Sequence, residues 1–267
     1  TNKDDEAWVN ALADRHVGSV SLPVREAWQI LFNDIYVQVP KTAGILPTYR
    51  PKMGENSGRT KTNYSNKQLL LVWQNLLDAS DLRRDALRLD VISVGRQLLG
   101  NYFLTVKNEF DKMYQTKDLA ALNMRASEMR ELLVDIDKLT SYHDYTSLSK
   151  WISDARGLSK DPVIQDYYAK NARNLVTTWG GTLNDYASRA WSGLISDYYS
   201  IRWNMYIDAV LRAVESKTEF SQKALDDAIK QFEDHWVSSN KQVERKVEGD
   251  LMNYAHFLLN KYKTRLE

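Results

Sequence analysis

A chain of 267 residues with 43% hydrophobic and 27% charged side chains is long enough to bury a sizeable core and has the composition of a folded globular protein. Its 36 basic and 35 acidic side chains leave a net charge of +1, so no global field draws nucleic acid or an anionic membrane surface. Cysteine is absent, which excludes disulfides, cysteine-ligated zinc and thiol nucleophiles, and no apolar run reaches the ~20 residues of a membrane span.

The pattern is helical almost throughout. Asp4, Asp5 and Glu6 place acid in a first turn, Ala7, Trp8, Ala11 and Leu12 follow at helical spacing, and Gly18 stops the helix. Pro23 starts the next, continued by Ala27, Ile30, Leu31 and Ile35. A break follows near 38–65, where three of the five prolines (Pro40, Pro47, Pro51) and three glycines (Gly44, Gly54, Gly58) fall; loops beyond about 12–15 residues in a compact domain are functional or mobile. Helix returns near Asn66, with Leu69, Leu70, Trp73, Leu76 and Leu77 as its stripe. Leu87, Val91, Val94, Leu98 and Tyr102 mark a long helix, and Leu119, Leu122, Ala126, Met129, Leu133 and Ile136 form a heptad-type seam. The connector Tyr114–Asp118 is short enough to make these two an antiparallel hairpin. Shorter helices are predicted over Tyr145–Ala155 and Pro162–Val176, the latter with Asp161 as N-cap.

The next stretch, WGGTLNDYASRAWSGLISDYYSIRW (179–203), carries three Trp and three Tyr. Leu183, Ala187, Ala190, Leu194, Tyr198, Ile201, Met205 and Ala209 fall on one face of a predicted helix, and Asp185 reads as a cap or first-turn residue. Helices over Ser221–Val237 and Val243–Lys263 complete the chain. No alternating β-branched run is present, and no internal repeat. The fold class is all-α, an irregular bundle of roughly nine or ten helices, 1–267 forming one domain.

Motifs for cofactors are missing. There is no phosphate loop and no GxGxxG, no GxSxG elbow, and the four histidines (His16, His143, His235, His256) form no metal-binding spacing. No cofactor and no metal are expected. A glycosidase needs two opposed carboxyls about 5–9.5 Å apart; the many acids here sit mostly at helix ends and on solvated faces. The aromatic helix is more suggestive. Its stripe can bury the helix without Trp179, Tyr186, Tyr199 or Arg202, and Tyr and Trp suit a half-wet wall against which a pyranose stacks. The same residues suit a large aromatic core.

The sequence TTWGGTLNDYASRAWSGLISDYYSIRW resembles the most recognisable stretch of the C-terminal helical domain of the α-N-acetylglucosaminidases, glycoside hydrolase family 89. The matching positions are Thr178-Trp179-Gly180, Asp185-Tyr186-Ala187, Gly193-Leu194 and Tyr198-Tyr199 through Arg202-Trp203. AWVNALADRHVG (7–18), the Tyr49-Arg50-Pro51 of the long loop and LRLDVISVGRQLLGNYF (87–103) resemble further segments of that domain, in the same order. Two departures stand out. Val17 precedes Gly18 where the family has an aromatic, and the turn after Trp179 is shorter than in the animal enzymes.

The resemblance implies a parent enzyme with a (β/α)8 barrel that carries two catalytic glutamates and removes terminal α-linked N-acetylglucosamine with retention. It implies that this chain is the non-catalytic domain packed on that barrel, with no catalytic residue of its own. Trp179, Tyr186, Arg202 and Arg50 are then the residues for the pocket wall or the layer behind it. The partners are the barrel of the same polypeptide and a glycan ending in α-N-acetylglucosamine, with no nucleic acid and no membrane. The chain opens on Thr1 without a signal peptide and reads as a piece of a longer protein. The parent is expected to be exported, periplasmic or extracellular in a bacterium and lysosomal in an animal. Two other readings stand beside this one: an independent helical module that binds a glycan or a protein, and a hydrolase using an Asp and Glu pair of its own.

Overall fold

Helical periodicity dominates the sequence, and the fold follows it. The computed structural model describes residues 3–36, 44–54, 60, 62–79, 83–179, 185–239, 247 and 249–266. Among them are ten α-helices and no strand; one isolated bridge joins Ser147 and Ser192. None of these helices is long and apolar enough to cross a membrane. The chain divides into two compact units, one from 1–43, 58–102 and 248–267, the other from 44–57 and 103–247.

In the first unit, α1 (Lys3–Val17) ends at Gly18, whose φ of +86° lets its N–H close on the Asp14 carbonyl at 2.7 Å. The buried face of α1 is Val9, Ala13 and Val17, whereas Ala7, Trp8 and Ala11 are exposed, so the face expected from Ala7, Trp8, Ala11 and Leu12 is the wrong one. Helix α2 (Leu22–Ile30) has Pro23 in its first turn and continues through a π-helical turn, Leu31–Ile35. Arg25 of α2 holds Asp14 of α1, with Nε 2.8 Å from Oδ1. His16 Nδ1 lies 2.6 Å from Asp90 Oδ2, and Trp28 Nε1 donates to the same oxygen.

Helix α3 (Asn66–Leu77) starts in a reciprocal cap: Ser65 Oγ accepts from Gln68 N–H, and the Gln68 side chain accepts from Ser65 N–H. Leu69, Leu70, Trp73, Leu76 and Leu77 are buried as their spacing requires, and α3 packs on α2 and on α10 (Leu251–Leu266). The last helix begins at Leu251, later than Val243; residues 243–246 lie outside the described ones.

Trp73 is fully buried and donates to the Val91 carbonyl of α4 (Asp85–Thr116) at 2.9 Å. Gly95, one turn on, lets the indole lie on the helix backbone; a Cβ there would sit 2.6 Å from Trp73 Cζ2. Gly95→Ala is therefore expected to destabilise the chain by about 1–3 kcal/mol, overpacking outweighing the better helix propensity of alanine. A urea titration showing the variant equal to or more stable than the parent sequence would refute this.

The second unit is built on the hairpin of α4 and α5 (Leu119–Ser141). Lys117 makes the turn at φ +55°, Asp118 caps α5 by accepting from Ala121 N–H, and Arg125 Nε reaches Glu109 across the hairpin at 3.0 Å. Of the heptad seam, Leu122, Ala126, Met129, Leu133 and Ile136 are buried on α5, with Leu132 and Leu139 beside them, and Leu119 is half-buried. The predicted helix Tyr145–Ala155 is instead a 3-10 turn, Asp144–Thr146, followed by α6 (Leu148–Arg156) capped by Ser147. Helix α7 (Pro162–Val176) has the expected bounds and the expected cap, Asp161 accepting from Val163 N–H at 2.8 Å. It packs on α6, where Trp151 Nε1 donates to the Ala172 carbonyl.

The aromatic stretch is not one helix, and Leu183, where the predicted face starts, lies outside the described residues. Asp185 and Ser188 both take positive φ, and helix begins only at 194, as a π-turn (Ile195–Tyr199) that runs into α8 (Ser200–Glu215). Asp137 of α5 supplies the missing cap, its Oδ1 accepting from Gly193 and Ser196 N–H at 2.8 and 3.0 Å. Burial pushes the Asp137 carboxyl above the usual range, and these N–H donors pull it back. Helix α9 (Gln222–Ser238), capped by Ser221, packs on α7 and α8.

The described part of the long loop, 44–54, is not a surface excursion. Ile45, Leu46 and Thr48 are buried, and Leu46–Thr48 form a 3-10 turn. Its carbonyls are used as acceptors by the core. Pro47 O accepts from Trp203 Nε1 at 3.0 Å, Pro51 O from Gln222 Nε2 at 3.2 Å, and Gly54 O from the fully buried Lys107. An irregular segment can be buried only when its polar backbone groups are so satisfied.

Candidate functional site

All four residues singled out from the sequence belong to the second unit, and the structure places them at two levels. Trp179 and Tyr186 are at the surface, 44% and 66% exposed, with ring centroids 5.8 Å apart and planes inclined at 52°. Arg202 lies in the interior with no exposed surface. Arg50 stands between, its side chain one-third exposed.

The interior level is a row of alternating charges. Arg202 Nη1 donates to both Asp185 oxygens, at 2.9 and 3.0 Å, and to Glu233 Oε1 at 2.8 Å. Its Nη2 reaches the Thr48 carbonyl at 3.3 Å. Glu233, in α9, is held in turn by Arg50, whose Nε lies 3.2 Å from Oε1 and whose Nη2 bonds Oε2. The order is Asp185, Arg202, Glu233, Arg50, two negative and two positive. The Tyr198 and Tyr199 rings lie beside the Arg202 guanidinium, centroids 4.6 and 5.0 Å away, and add cation–π attraction in a dry setting.

Electrostatics follow from burial. Desolvation pushes the Asp185 carboxyl up, and Arg202 pulls it down against that. Both phenols are pushed well above their ordinary range, so they stay neutral. Arg202 itself is raised, since its carboxylate and phenol neighbours outweigh desolvation. Asp185 and Glu233 are the carboxylates brought together here. Each is buried and neutralised by an arginine, unlike the solvent-facing pair that protonates a glycosidic oxygen and activates water. Among the described residues no group of three or more acids and histidines is arranged to hold a metal.

The surface level is tied to the interior through Asp185. Its N–H donates to the Thr177 carbonyl at 2.9 Å, and its own carbonyl accepts from Ser188 N–H and Oγ at 3.1 and 2.8 Å. At the other end Trp179 N–H donates to the Asn174 carbonyl, and Thr177 and Thr178 hydroxyls bond Arg173 and Asn174. Sequence reasoning missed Glu233 and the Thr48 carbonyl, which stand 31 and 154 residues from Arg202. It also set Asp185 at a helix end. A signal was present: Asp is enriched among non-glycine residues at positive φ.

Comparison with known proteins agrees with this architecture. The family model described as α-N-acetylglucosaminidase C-terminal domain matches residues 8–261. The chain is 27% identical over 272 residues to α-N-acetylglucosaminidase of Homo sapiens, covering 98% of this chain and 36% of that protein. It is similar in fold to a family 89 glycoside hydrolase from Clostridium perfringens in complex with 2-acetamido-1,2-dideoxynojirmycin. That match has a TM-score of 0.85 at 23% identity, covering 96% of this chain and 31% of the other. A second Clostridium perfringens structure, in complex with its substrate GlcNAc-α-1,4-galactose, has a TM-score of 0.86 at 22% identity, covering 98% and 32%. The chain thus spans about a third of the length of the relatives it matches.

Proposed function

The chain belongs to the family of α-N-acetylglucosaminidase C-terminal domains, and from that premise we propose that it is the non-catalytic helical domain of a retaining α-N-acetylglucosaminidase. It packs on the catalytic (β/α)8 barrel of the same polypeptide and completes the pocket for a terminal α-linked N-acetylglucosamine. The parent enzyme is exported. The observation that carries the pocket role is the Trp179–Tyr186 pair: two large, partly exposed aromatic rings next to one another on a buried ionic base. Such rings offer flat apolar faces to the C–H face of a pyranose, and a wall of this kind orients the sugar and keeps out water. The reacting carboxylates belong to the barrel, a reading supported by Asp185 and Glu233, which Arg202 bridges and which are buried and neutralised.

The test is a turnover assay on a chromogenic α-N-acetylglucosaminide. The 267-residue chain alone is expected to be inert and the full parent active. Trp179→Ala in the parent is expected to lower kcat/KM about tenfold, which is about 1.4 kcal/mol of transition-state binding. Turnover by the isolated chain would move the catalytic pair into this domain and overturn the assignment. An unimpaired Trp179→Ala parent would reduce the aromatic pair to surface packing and favour an independent helical module.

A further inference from the structure

We propose that Asp185, anchored by Arg202, is a positioning residue that fixes Tyr186 and Trp179 as a preformed platform for the pyranose ring. This rests on the pocket-wall reading above and names the device that holds the wall in place. A two-thirds exposed tyrosine contributes little to the core by its own burial, so its neighbourhood has no packing reason to be rigid. Yet the residue before it is constrained in every respect. Asp185 adopts φ +65°, a left-handed conformation that non-glycine residues adopt rarely and keep only where the surroundings enforce it. Here they do. Both carboxylate oxygens accept from Arg202, the N–H is held by Thr177 and the carbonyl by Ser188 twice.

The constraint extends to the partner ring. The Asp185–Thr177 bond ties the residue before Tyr186 to a point two residues before Trp179, so the two rings are anchored on one bonded neck. The anchor under that neck is a buried guanidinium, itself fixed by Glu233 and the Thr48 carbonyl and flanked by the Tyr198 and Tyr199 rings. Strain backed by a buried, multiply bonded ion pair, beneath two side chains that face solvent, is the arrangement expected when exposed side chains must wait in a binding geometry. The rings are inclined at 52° instead of stacked, so neither covers the face of the other and each keeps surface for a sugar.

The experiment is a double-mutant cycle in the full-length parent, with kcat and KM for a chromogenic α-N-acetylglucosaminide and a thermal melt for every variant. Tyr186→Ala and Asp185→Asn are each expected to lower kcat/KM about tenfold. In the Tyr186→Ala background, Asp185→Asn should cost only about two- to threefold further, because the ring next to Asp185 is gone and only the hold on Trp179 remains. Its effect on the melting temperature should be the same in both backgrounds, as a purely structural role would also give. If Asp185→Asn costs the full tenfold in both backgrounds, or nothing in either while Tyr186→Ala is impaired, the positioning role is wrong and the wall stands. If Tyr186→Ala is itself unimpaired, the wall reading fails and the positioning role fails with it. Should Asp185→Asn not fold, Ser188→Ala takes its place. That variant removes only the hydroxyl bonded to the Asp185 carbonyl, and about threefold is expected, again smaller in the Tyr186→Ala background.

Discussion

Arg202→Met is expected to lower the unfolding free energy by about 3–5 kcal/mol, because removing one member of a buried ion pair strands the charges left behind. The guanidinium carries three bonds to carboxylate oxygens and one to a backbone carbonyl, and all of these acceptors belong to buried residues. Glu233 retains its direct pairing with Arg50, but Asp185 loses the arginine that is bonded to it. The deficit should depend on pH in a definite sense. Burial already pushes the Asp185 carboxyl up, Glu233 adds to that push, and without Arg202 only the weaker attraction of Arg50 is left against it. A folded pKa raised above the unfolded value gives stability that is present below the unfolded value, about 4, and lost as pH rises through the folded one. The variant should therefore fall furthest behind near pH 7 and recover part of the difference as pH drops toward 5. Urea titrations at the two pH values measure this. A loss under 1 kcal/mol, independent of pH, would mean that the cluster contributes nothing to the fold.

Trp203→Ala is expected to cost about 3–5 kcal/mol, the range for deleting a large aromatic from a core. Trp203 is fully buried, packs edge-on against Phe103 at 4.9 Å and Tyr206 at 5.8 Å, and donates its N–H to the Pro47 carbonyl. Truncation opens a cavity and leaves that carbonyl without its partner. Trp203→Phe, which keeps most of the volume and loses the donor, should lose about 1–2 kcal/mol. Equal losses for the two variants would show that the hydrogen bond dominates over the packing.

Local signals in the sequence carried the elements whose causes are local. The α5 seam from Leu122 to Ile136 and the Asp161–Pro162 start of α7 each depend on residues within one or two turns, and each stands as read; the helix read over Ser221–Val237 is α9, shifted by one residue. The face of α1 was misread because two stripes compete there. The one with Trp8 has the bulkier residue, but the slimmer one of Val9, Ala13 and Val17 is buried. Over 185–193 the apolar spacing is helical while the backbone is not. Positive φ at Asp185, Ser188 and Gly193 and a cap supplied by Asp137 of another helix set the start of the helix at 194, and neither is visible in periodicity. The site was legible in part for the same reason. Exposed aromatics with polar tips could be suspected from composition and from the family pattern. The burial of Arg202 could not, since its anchors come from 17, 31 and 154 residues away.

Those separations bear on how the molecule is made. The 44–54 segment leaves the ribosome long before its partners: the carbonyls of Pro47 and Thr48 await Trp203 and Arg202, which follow 156 and 154 residues later. At roughly 5–20 residues per second, the interval is roughly 8–30 seconds. Throughout it Ile45 and Leu46 lack the partners that bury them, whereas the turn of the α4–α5 hairpin is closed by sequence neighbours, Arg125 reaching Glu109. Consolidation of the second unit is in this sense a late, long-range closure. It is the cost in folding speed of using an irregular N-terminal strap to satisfy the interior of a C-terminal helix.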